Sequence, residues 1–138
     1  ELKWDSPKSW SASSGSSMRL ASYNVPHSSG VGDLSIMILA GDGGGVEANI
    51  NRWRGQINLG SQTLSEINSQ SEGRKNSLSN YQIFTVVNED NLDKAFICAI
   101  IPLADSTIFV KLNISAKGIT EIKDDFIYFC DSFRLGDG

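Results

Sequence analysis

The segment at residues 95–103, AFICAIIPL, constrains the fold of this chain more than any other feature, because both of its alternating sets of residues are apolar. Successive side chains of a strand point to opposite faces of a sheet, so a strand of this composition has to be covered on both faces. Residues 33–40, DLSIMILA, have the same character. Together the two segments predict an interior pair of strands in a sheet with helices above and below it.

Two other segments show the 3.6-residue period of an amphipathic helix. In the first, one apolar stripe consists of Val46, Ile50, Trp53 and Ile57. In the second, near the end of the chain, the stripe consists of Ile119, Ile122, Phe126, Phe129, Cys130 and Phe133. Between them, Thr63 and Glu66 are spaced as in a capping box, which predicts the start of a short helix.

The remaining apolar segments alternate with a period of two and are predicted to be strands. They cover residues 18–25, 81–87 and 107–114, and the first of them is expected to end at Pro26, which cannot donate a ladder hydrogen bond. Residues 27–32 are interpreted as a turn, and the polar residues 11–17 and 70–80 as surface loops. The predicted architecture is a single α+β domain over residues 1–138, an α/β/α sandwich around a central, mainly antiparallel sheet.

Composition narrows the functional classes. The 138 residues are 40% hydrophobic, enough to fill one core, and carry sixteen acidic against twelve scattered basic residues. Nucleic acid is therefore not an expected partner, since a phosphate backbone requires a basic patch. The apolar runs are too short to cross a bilayer, and residues 1–4 do not resemble the opening of a signal peptide. This leaves either a cytoplasmic protein or one whose leader was removed upstream.

The two cysteines, Cys98 and Cys130, are too far apart in sequence for a redox or zinc motif. Two buried free thiols are the default expectation, because cysteine is among the most often buried residue types. A disulfide between a strand and the last helix stays open for an oxidising compartment.

The glycine-rich stretch GDGGGV at residues 41–46 precedes the first helix and can be interpreted in two ways. Free amide groups at a helix N-terminus suit an anion. Against this, the stretch lacks a GxxxxGK[ST] motif and the last glycine of GxGxxG, and Asp42 would repel a phosphate. A packing and turn role is the main expectation for Gly43, Gly44 and Gly45, with ligand or partner contact as the alternative, and no cofactor is predicted.

On the helix that follows, Asn49, Arg52 and Gln56 fall together beside the apolar stripe, where side chains are expected to be half-buried. In one interpretation, Arg52 bonds backbone carbonyls or a carboxylate and ties the helix to nearby loops, so that Arg52→Ala would lower the melting temperature by a few degrees. In the other, the three residues line a groove that recognises a carboxylate or a peptide.

Other polar and aromatic residues have weaker functional signals. Trp4 and Trp10 are either exposed stacking residues or, as is commoner near a chain end, buried anchors. The one histidine, His27, has no nucleophile-elbow pattern around it and no second histidine with which to hold a metal. The acidic pairs at residues 89–90 and 124–125 are interpreted as solvated, so no catalytic or metal site is predicted.

Three groups of residues carry a resemblance to a known family: Trp4, Pro7 and Trp10; the run MRLASY at residues 18–23; and Gly44, Gly45, Asn49, Arg52, Trp53 and Gln56. In these residues the chain resembles secreted or lipid-anchored proteins of planctomycete and verrucomicrobial type. The closing IFVKL at residues 108–112, followed by a helix with Phe126, Phe129 and Phe133, is similar to the PsbP-like fold. The resemblance implies a non-enzymatic accessory domain outside the cytoplasm, whose signal or lipid anchor lay upstream of Glu1.

The function expected from these observations is binding rather than catalysis. The leading hypothesis is an extracytoplasmic accessory domain that docks onto a protein or envelope partner through residues 41–45 and the rim of the first helix. The alternative is a small-ligand domain that takes an anionic metabolite or a glycan at residues 41–45 and Arg52. A hydrolase using Ser28 or His27 is the least supported hypothesis.

Overall fold

The computed structural model describes residues 1–16 and 18–136. The elements in chain order are β1 (Leu2–Lys3), β2 (Ser11–Ala12), β3 (Ala21–His27), β4 (Gly30–Ala40), α1 (Val46–Gln56), α2 (Leu64–Ser69), β5 (Glu72–Lys75), β6 (Asn80–Val87), β7 (Ala95–Pro102), β8 (Ser106–Asn113), α3 (Ala116–Asp131) and β9 (Arg134–Leu135). Strands β2 to β8 form one antiparallel sheet in the order β2-β3-β4-β8-β7-β6-β5, and β1 pairs separately with β9. The fold is therefore mixed α+β and dominated by a seven-stranded antiparallel sheet.

The helices pack on opposite faces of this sheet. On one face, α3 buries Phe126 and Phe129 against strand residues such as Ile97. On the other face, α1 and α2 place Trp53 and Ile67 in a second core with Phe96 and their neighbours. Because Phe96 and Ile97 are adjacent in β7, this strand is covered on both faces, as its composition predicts.

The helical layer formed by α1 and α2 is narrower than the sheet beneath it. Its core includes residues of β6, β7 and β8 and reaches only Met37 and Leu39 of β4. Beyond them, the same face carries what we call the polar strip: Ser22, Asn24, Asp33 and Ser35. The expectation that residues 33–40 are covered on both faces is therefore wrong. Asp33 and Ser35 are half-exposed on one face, and Ile38 is 39% exposed on the other, whereas Leu34 and Ile36 are buried.

The hairpin between β3 and β4 is tighter than predicted. Strand β3 continues through Pro26 to His27, and His27 pairs with Gly30 across a two-residue turn. Proline is tolerated in β3 because β2 pairs only with Tyr23 and Asn24, which leaves the outer side of Pro26 without a neighbouring strand.

Both edge strands of the sheet lie in segments that the sequence predicts to be loops. Strand β2 lies within residues 11–17, of which Ser17 is outside the described residues, and β5 lies within residues 70–80. Edge strands that are mostly exposed need no apolar alternation, so the hydrophobic pattern from which strands are predicted is missing from them.

Other predictions of local structure are confirmed. Helix α1 has the predicted extent, and Thr63 and Glu66 form both hydrogen bonds of the capping box at the start of α2, at 3.1 and 2.9 Å. Among the described residues, no helix combines the length and apolar character that a bilayer crossing requires.

The thiols of Cys98 and Cys130 are both free and fully buried. Cys98 belongs to the core under α1, whereas Cys130 belongs to the core under α3. The disulfide left open by the sequence is therefore absent, and burial raises the pKa of each thiol above its ordinary value.

Candidate functional site

The glycine loop, residues 41–45, joins β4 to α1 through a backbone path that requires glycine. Gly41, Gly43, Gly44 and Gly45 have φ values of 60°, 61°, 99° and 89°, in the left-handed region that other residues rarely adopt. The loop is also tied to β8, because the Thr107 hydroxyl donates to the Gly41 carbonyl oxygen at 2.7 Å. The loop is therefore held in one conformation by its composition and by its anchoring.

The chain itself occupies two of the loop amide groups that a phosphate could use. The backbone N–H of Gly44 donates to Asp42 Oδ1 at 2.9 Å, and the N–H of Gly45 donates to the Asp42 carbonyl oxygen at 3.0 Å. A phosphate at this position would have to displace a carboxylate of like charge. The turn interpretation of Gly43, Gly44 and Gly45 accounts for this geometry, and the anion interpretation does not.

Asn49 is the residue of α1 that fixes the loop. Its side chain is 2% exposed, and its amide nitrogen donates to the carbonyl oxygens of Gly43 at 3.1 Å and Gly45 at 2.7 Å. The Gly43 carbonyl group would otherwise lack a partner, whereas the Gly45 carbonyl oxygen also accepts from the Asn49 backbone N–H at 3.3 Å. Asn49 is therefore a positioning residue for the loop and has no donor left that could serve a ligand without breaking it.

Arg52 differs from its expected environment. It is exposed rather than half-buried, and within the described residues its guanidinium makes no hydrogen bond or ion pair. Its Cζ atom lies 5.6 Å from the ring centroid of Trp53. The predicted tie between Arg52 and backbone carbonyls or a carboxylate is therefore wrong, and its guanidinium remains free for an external group.

Arg52→Ala should leave the melting temperature within about 2 °C of the unsubstituted chain, because exposed side chains without partners contribute little to stability. The measurement is a thermal melt followed by circular dichroism. Asn49→Ala, one turn earlier in α1, is the comparison variant and should melt clearly lower, because it removes two buried hydrogen bonds. A loss of several degrees in Arg52→Ala would contradict the exposed environment.

Gln56 is also exposed, and it leads to a functional candidate that the sequence analysis missed. Its Oε1 atom accepts a hydrogen bond of 3.0 Å from Nζ of Lys111 in β8. The alternation of residues 107–114 predicts that Ile108, Val110, Leu112 and Ile114 face inward, which places Lys111 on an outer face. Because β8 is the middle strand and α1 crosses its other face, Lys111 is instead buried, at 9% exposure.

The predicted site residues therefore divide into two groups at opposite ends of α1. The glycines and Asn49 form one structural unit at its N-terminus. Arg52 and Gln56 lie toward its C-terminus, beside Lys111. They do not form the one continuous groove that the helical spacing suggests.

A cleft of about 780 Å³ opens next to the glycine loop, and we call it the loop cleft. Its lining includes Gly45, Val46, Gly73, Lys75, Ile100 and Pro102. It lies where the ends of β5, β6 and β7 extend past the start of α1. A smaller recess on the side of α2 shares Gly45 and Val46 with it, so the groove continues around the N-terminal end of α1.

The tryptophans near the start of the chain are structural anchors. Trp10 is 6% exposed and packs on Phe129, with ring centroids 4.9 Å apart. Trp4 is half-buried, stacks on Phe133 at 5.3 Å, and donates from Nε1 to the Tyr23 hydroxyl at 2.8 Å. Trp10 is therefore a buried anchor, and Trp4 has one ring face covered by Phe133.

The β3–β4 turn does not assemble a catalytic pair from Ser28 and His27. The Ser28 hydroxyl donates to Oε2 of Glu121 at 2.5 Å, and the Ser28 backbone N–H donates to Oε1 of the same residue. These bonds attach the hairpin to α3, and the Ser28 hydroxyl donates to a carboxylate rather than to a histidine base.

No protein-family model matches this chain, and no curated protein matches it at a significant level. The likeness to secreted planctomycete and verrucomicrobial proteins therefore stays an expectation from the sequence.

Proposed function

We propose that this chain is a non-enzymatic binding domain that docks onto an extended segment of a protein partner through the loop cleft. The cleft itself is the observation that carries the proposal. The resemblance to secreted, PsbP-like proteins supports an accessory role outside the cytoplasm, as a domain that works without a cofactor.

The walls of the loop cleft are rigid enough to bind without rearrangement. One side is the glycine loop, fixed by Asn49 and Thr107, and the other is the sheet. Its volume lies within the range of about 300–1,000 Å³ that is typical of binding sites. Pre-organisation of this kind reduces the ordering cost that a partner has to overcome.

An extended peptide fits the position of the cleft. Strand β5 is an edge strand of the sheet, and two of its residues line the cleft as Gly73 and Lys75. Extended segments bind beside such edges and insert side chains into adjacent apolar pockets. Ile100 and Val46 supply apolar surface for one side chain of the partner.

The charges of β5 indicate what else the partner segment carries. Glu72 forms an ion pair with Lys123, and Arg74 forms one with Asp131. Lys75 forms no ion pair within residues 1–16 and 18–136, and it is exposed at the rim of the cleft. We therefore propose a partner segment that has an apolar residue followed by an acidic one.

Gly73→Trp tests this proposal, because the substitution fills the cleft without straining the fold. A Cβ atom at Gly73 would meet nothing within 4 Å, and its φ is not in the left-handed region. Peptides selected from a random displayed library for binding to the unsubstituted chain should bind Gly73→Trp at least about tenfold more weakly in calorimetric titrations.

Gly60→Trp is the matched control, since a Cβ atom at Gly60 also meets open space and Gly60 does not line the cleft. It should bind the selected peptides within about twofold of the unsubstituted chain. Equal binding by Gly73→Trp, or a library that yields no binding peptide, would overturn the proposal.

A further inference from the structure

Lys111 is the one buried charged residue in the part of the chain that the structure describes, and no opposite charge neutralises it. Its Nζ atom lies 5.1 Å from the ring centroid of Trp53 and 5.3 Å from that of Phe96. Its one hydrogen-bond partner there is the neutral Gln56 amide, at 3.0 Å. No carboxylate of the described residues lies within ion-pair distance of it. Buried ammonium groups are ordinarily paired, so this arrangement requires an explanation.

The groups around Lys111 increase the excess of positive charge. Arg52 lies over the same Trp53 ring and has no anionic partner in the described chain. The nearest carboxylate, Asp33, is engaged by Arg19 through two hydrogen bonds of 3.0 Å each. Cys98, the β7 neighbour of Lys111, has a pKa raised by burial and is a neutral thiol. Two cations without a counter-charge therefore lie against the same Trp53 ring, in a chain whose net charge is −4.

The electrostatics of Lys111 agree with this geometry. Burial is the main reason why its pKa is lowered from the ordinary 10.5 to about 8; the Arg52 and Arg19 guanidinium groups act in the same direction, and the Asp33 carboxylate opposes them. An anion at this position would offset both the burial of Lys111 and the repulsion from Arg52.

On the side of β4, the sheet surface beside Lys111 is partly exposed. Ser35, the β4 neighbour of Lys111, is half-buried and belongs to the polar strip that α1 leaves uncovered. Gln56 is exposed, so its amide can move away from Lys111 without opening the core. A ligand of Lys111 would approach over Ser35 and take the place that the Gln56 amide now holds.

We propose that Lys111 and Arg52 form a carboxylate-binding site, in which the carboxylate replaces the Gln56 amide oxygen as the acceptor for Lys111. A carboxylate suits this pair of residues, because its two oxygen atoms can accept hydrogen bonds from the ammonium group of Lys111 and from the planar guanidinium group of Arg52 at the same time. A doubly charged phosphate would be repelled more strongly than a carboxylate by Asp33, which lies on the same strip. The site is independent of the loop cleft, which lies at the other end of α1.

The test is a titration of the whole chain with glutarate, as a free carboxylate, and with tetraglutamate, as a peptide-borne one. The readout is the NMR signal of the Lys111 side chain together with calorimetric affinity. We expect the Lys111 signal to shift and its pKa to rise by about one unit in saturating ligand, which corresponds to about tenfold tighter binding to the protonated form. Affinity should fall at least about fivefold between pH 6.5 and pH 9.5, as Lys111 loses its proton.

Lys111→Met and Arg52→Gln should each lose at least about tenfold in affinity. Arg54→Gln is the matched control on the same helix, because Arg54 bonds the Gly60 carbonyl oxygen away from this site, and it should bind like the unsubstituted chain. Response to tetraglutamate alone would show a peptide-borne carboxylate, and response to both would show that a free one suffices. An unmoved Lys111 signal, or equal affinity in Lys111→Met, would overturn the proposal.

Discussion

Gly43→Ala should lower the free energy of unfolding by about 3 kcal/mol, the largest effect expected in the glycine loop. Gly43 has φ 61°, where a residue with a Cβ atom costs about 1–2 kcal/mol. The added Cβ would also lie 2.6 Å from Cε2 of Phe109 and 3.1 Å from Cβ of Leu39. Phe109 is 3% exposed and is held by its neighbours in the core. The resulting overpacking should therefore destabilise the fold by about 1–3 kcal/mol more.

Gly41→Ala is the comparison that separates backbone strain from the collision with Phe109. Gly41 has nearly the same φ, 60°, but a Cβ atom there would meet nothing within 4 Å. It should therefore cost only about 1 kcal/mol. Urea denaturation of both variants gives the two values, and equal losses would show that the loop moves freely away from β8. In that case the rigid wall assigned to the loop cleft would not exist.

The layers of the fold could be predicted from the sequence because they depend on local composition. Residues 95–103 are apolar in both alternating sets, and this alone requires cover on two faces. The edge strands β2 and β5 could not be predicted, since they are mostly exposed and carry no apolar alternation. The polar strip could not be predicted either, because the width of the helical layer depends on where α1 and α2 pack on the sheet.

The candidate sites show the same division between local and long-range information. Helical spacing places Asn49, Arg52 and Gln56 side by side, yet Asn49 is buried whereas Arg52 and Gln56 are exposed. Asn49 is buried because the glycine loop folds back over it, and this fold-back depends on positive φ values that periodicity does not reveal. Lys111 acquires its surroundings from β4, β7 and α1 together, so no stretch of sequence around it could predict them.

Lys111→Met should increase the free energy of unfolding at pH 7 by about 1–2 kcal/mol. The folded chain loses the Lys111 proton near pH 8, whereas the unfolded chain keeps it to about pH 10.5. At pH 7 this difference in pKa corresponds to a destabilisation of up to about 3 kcal/mol, which the variant no longer suffers. The variant also loses the Gln56 hydrogen bond and the ring contacts of the ammonium group, which reduces its gain by about 1–2 kcal/mol.

The same linkage fixes the pH dependence. Between pH 8 and pH 10.5 the unfolded state binds more protons at Lys111 than the folded state, so this residue makes stability rise with pH over that window.

Urea denaturation at pH 7 and pH 10 should show that the stability gained by Lys111→Met is smaller at the higher pH. Lys8→Met removes an exposed charge and should change stability by no more than about 0.5 kcal/mol at either pH. A Lys111→Met chain that is less stable than its parent at pH 7 would mean that the ammonium group supports the fold. A chain that is more stable would mean that a destabilising charge is kept at this position, as expected of a residue that serves binding.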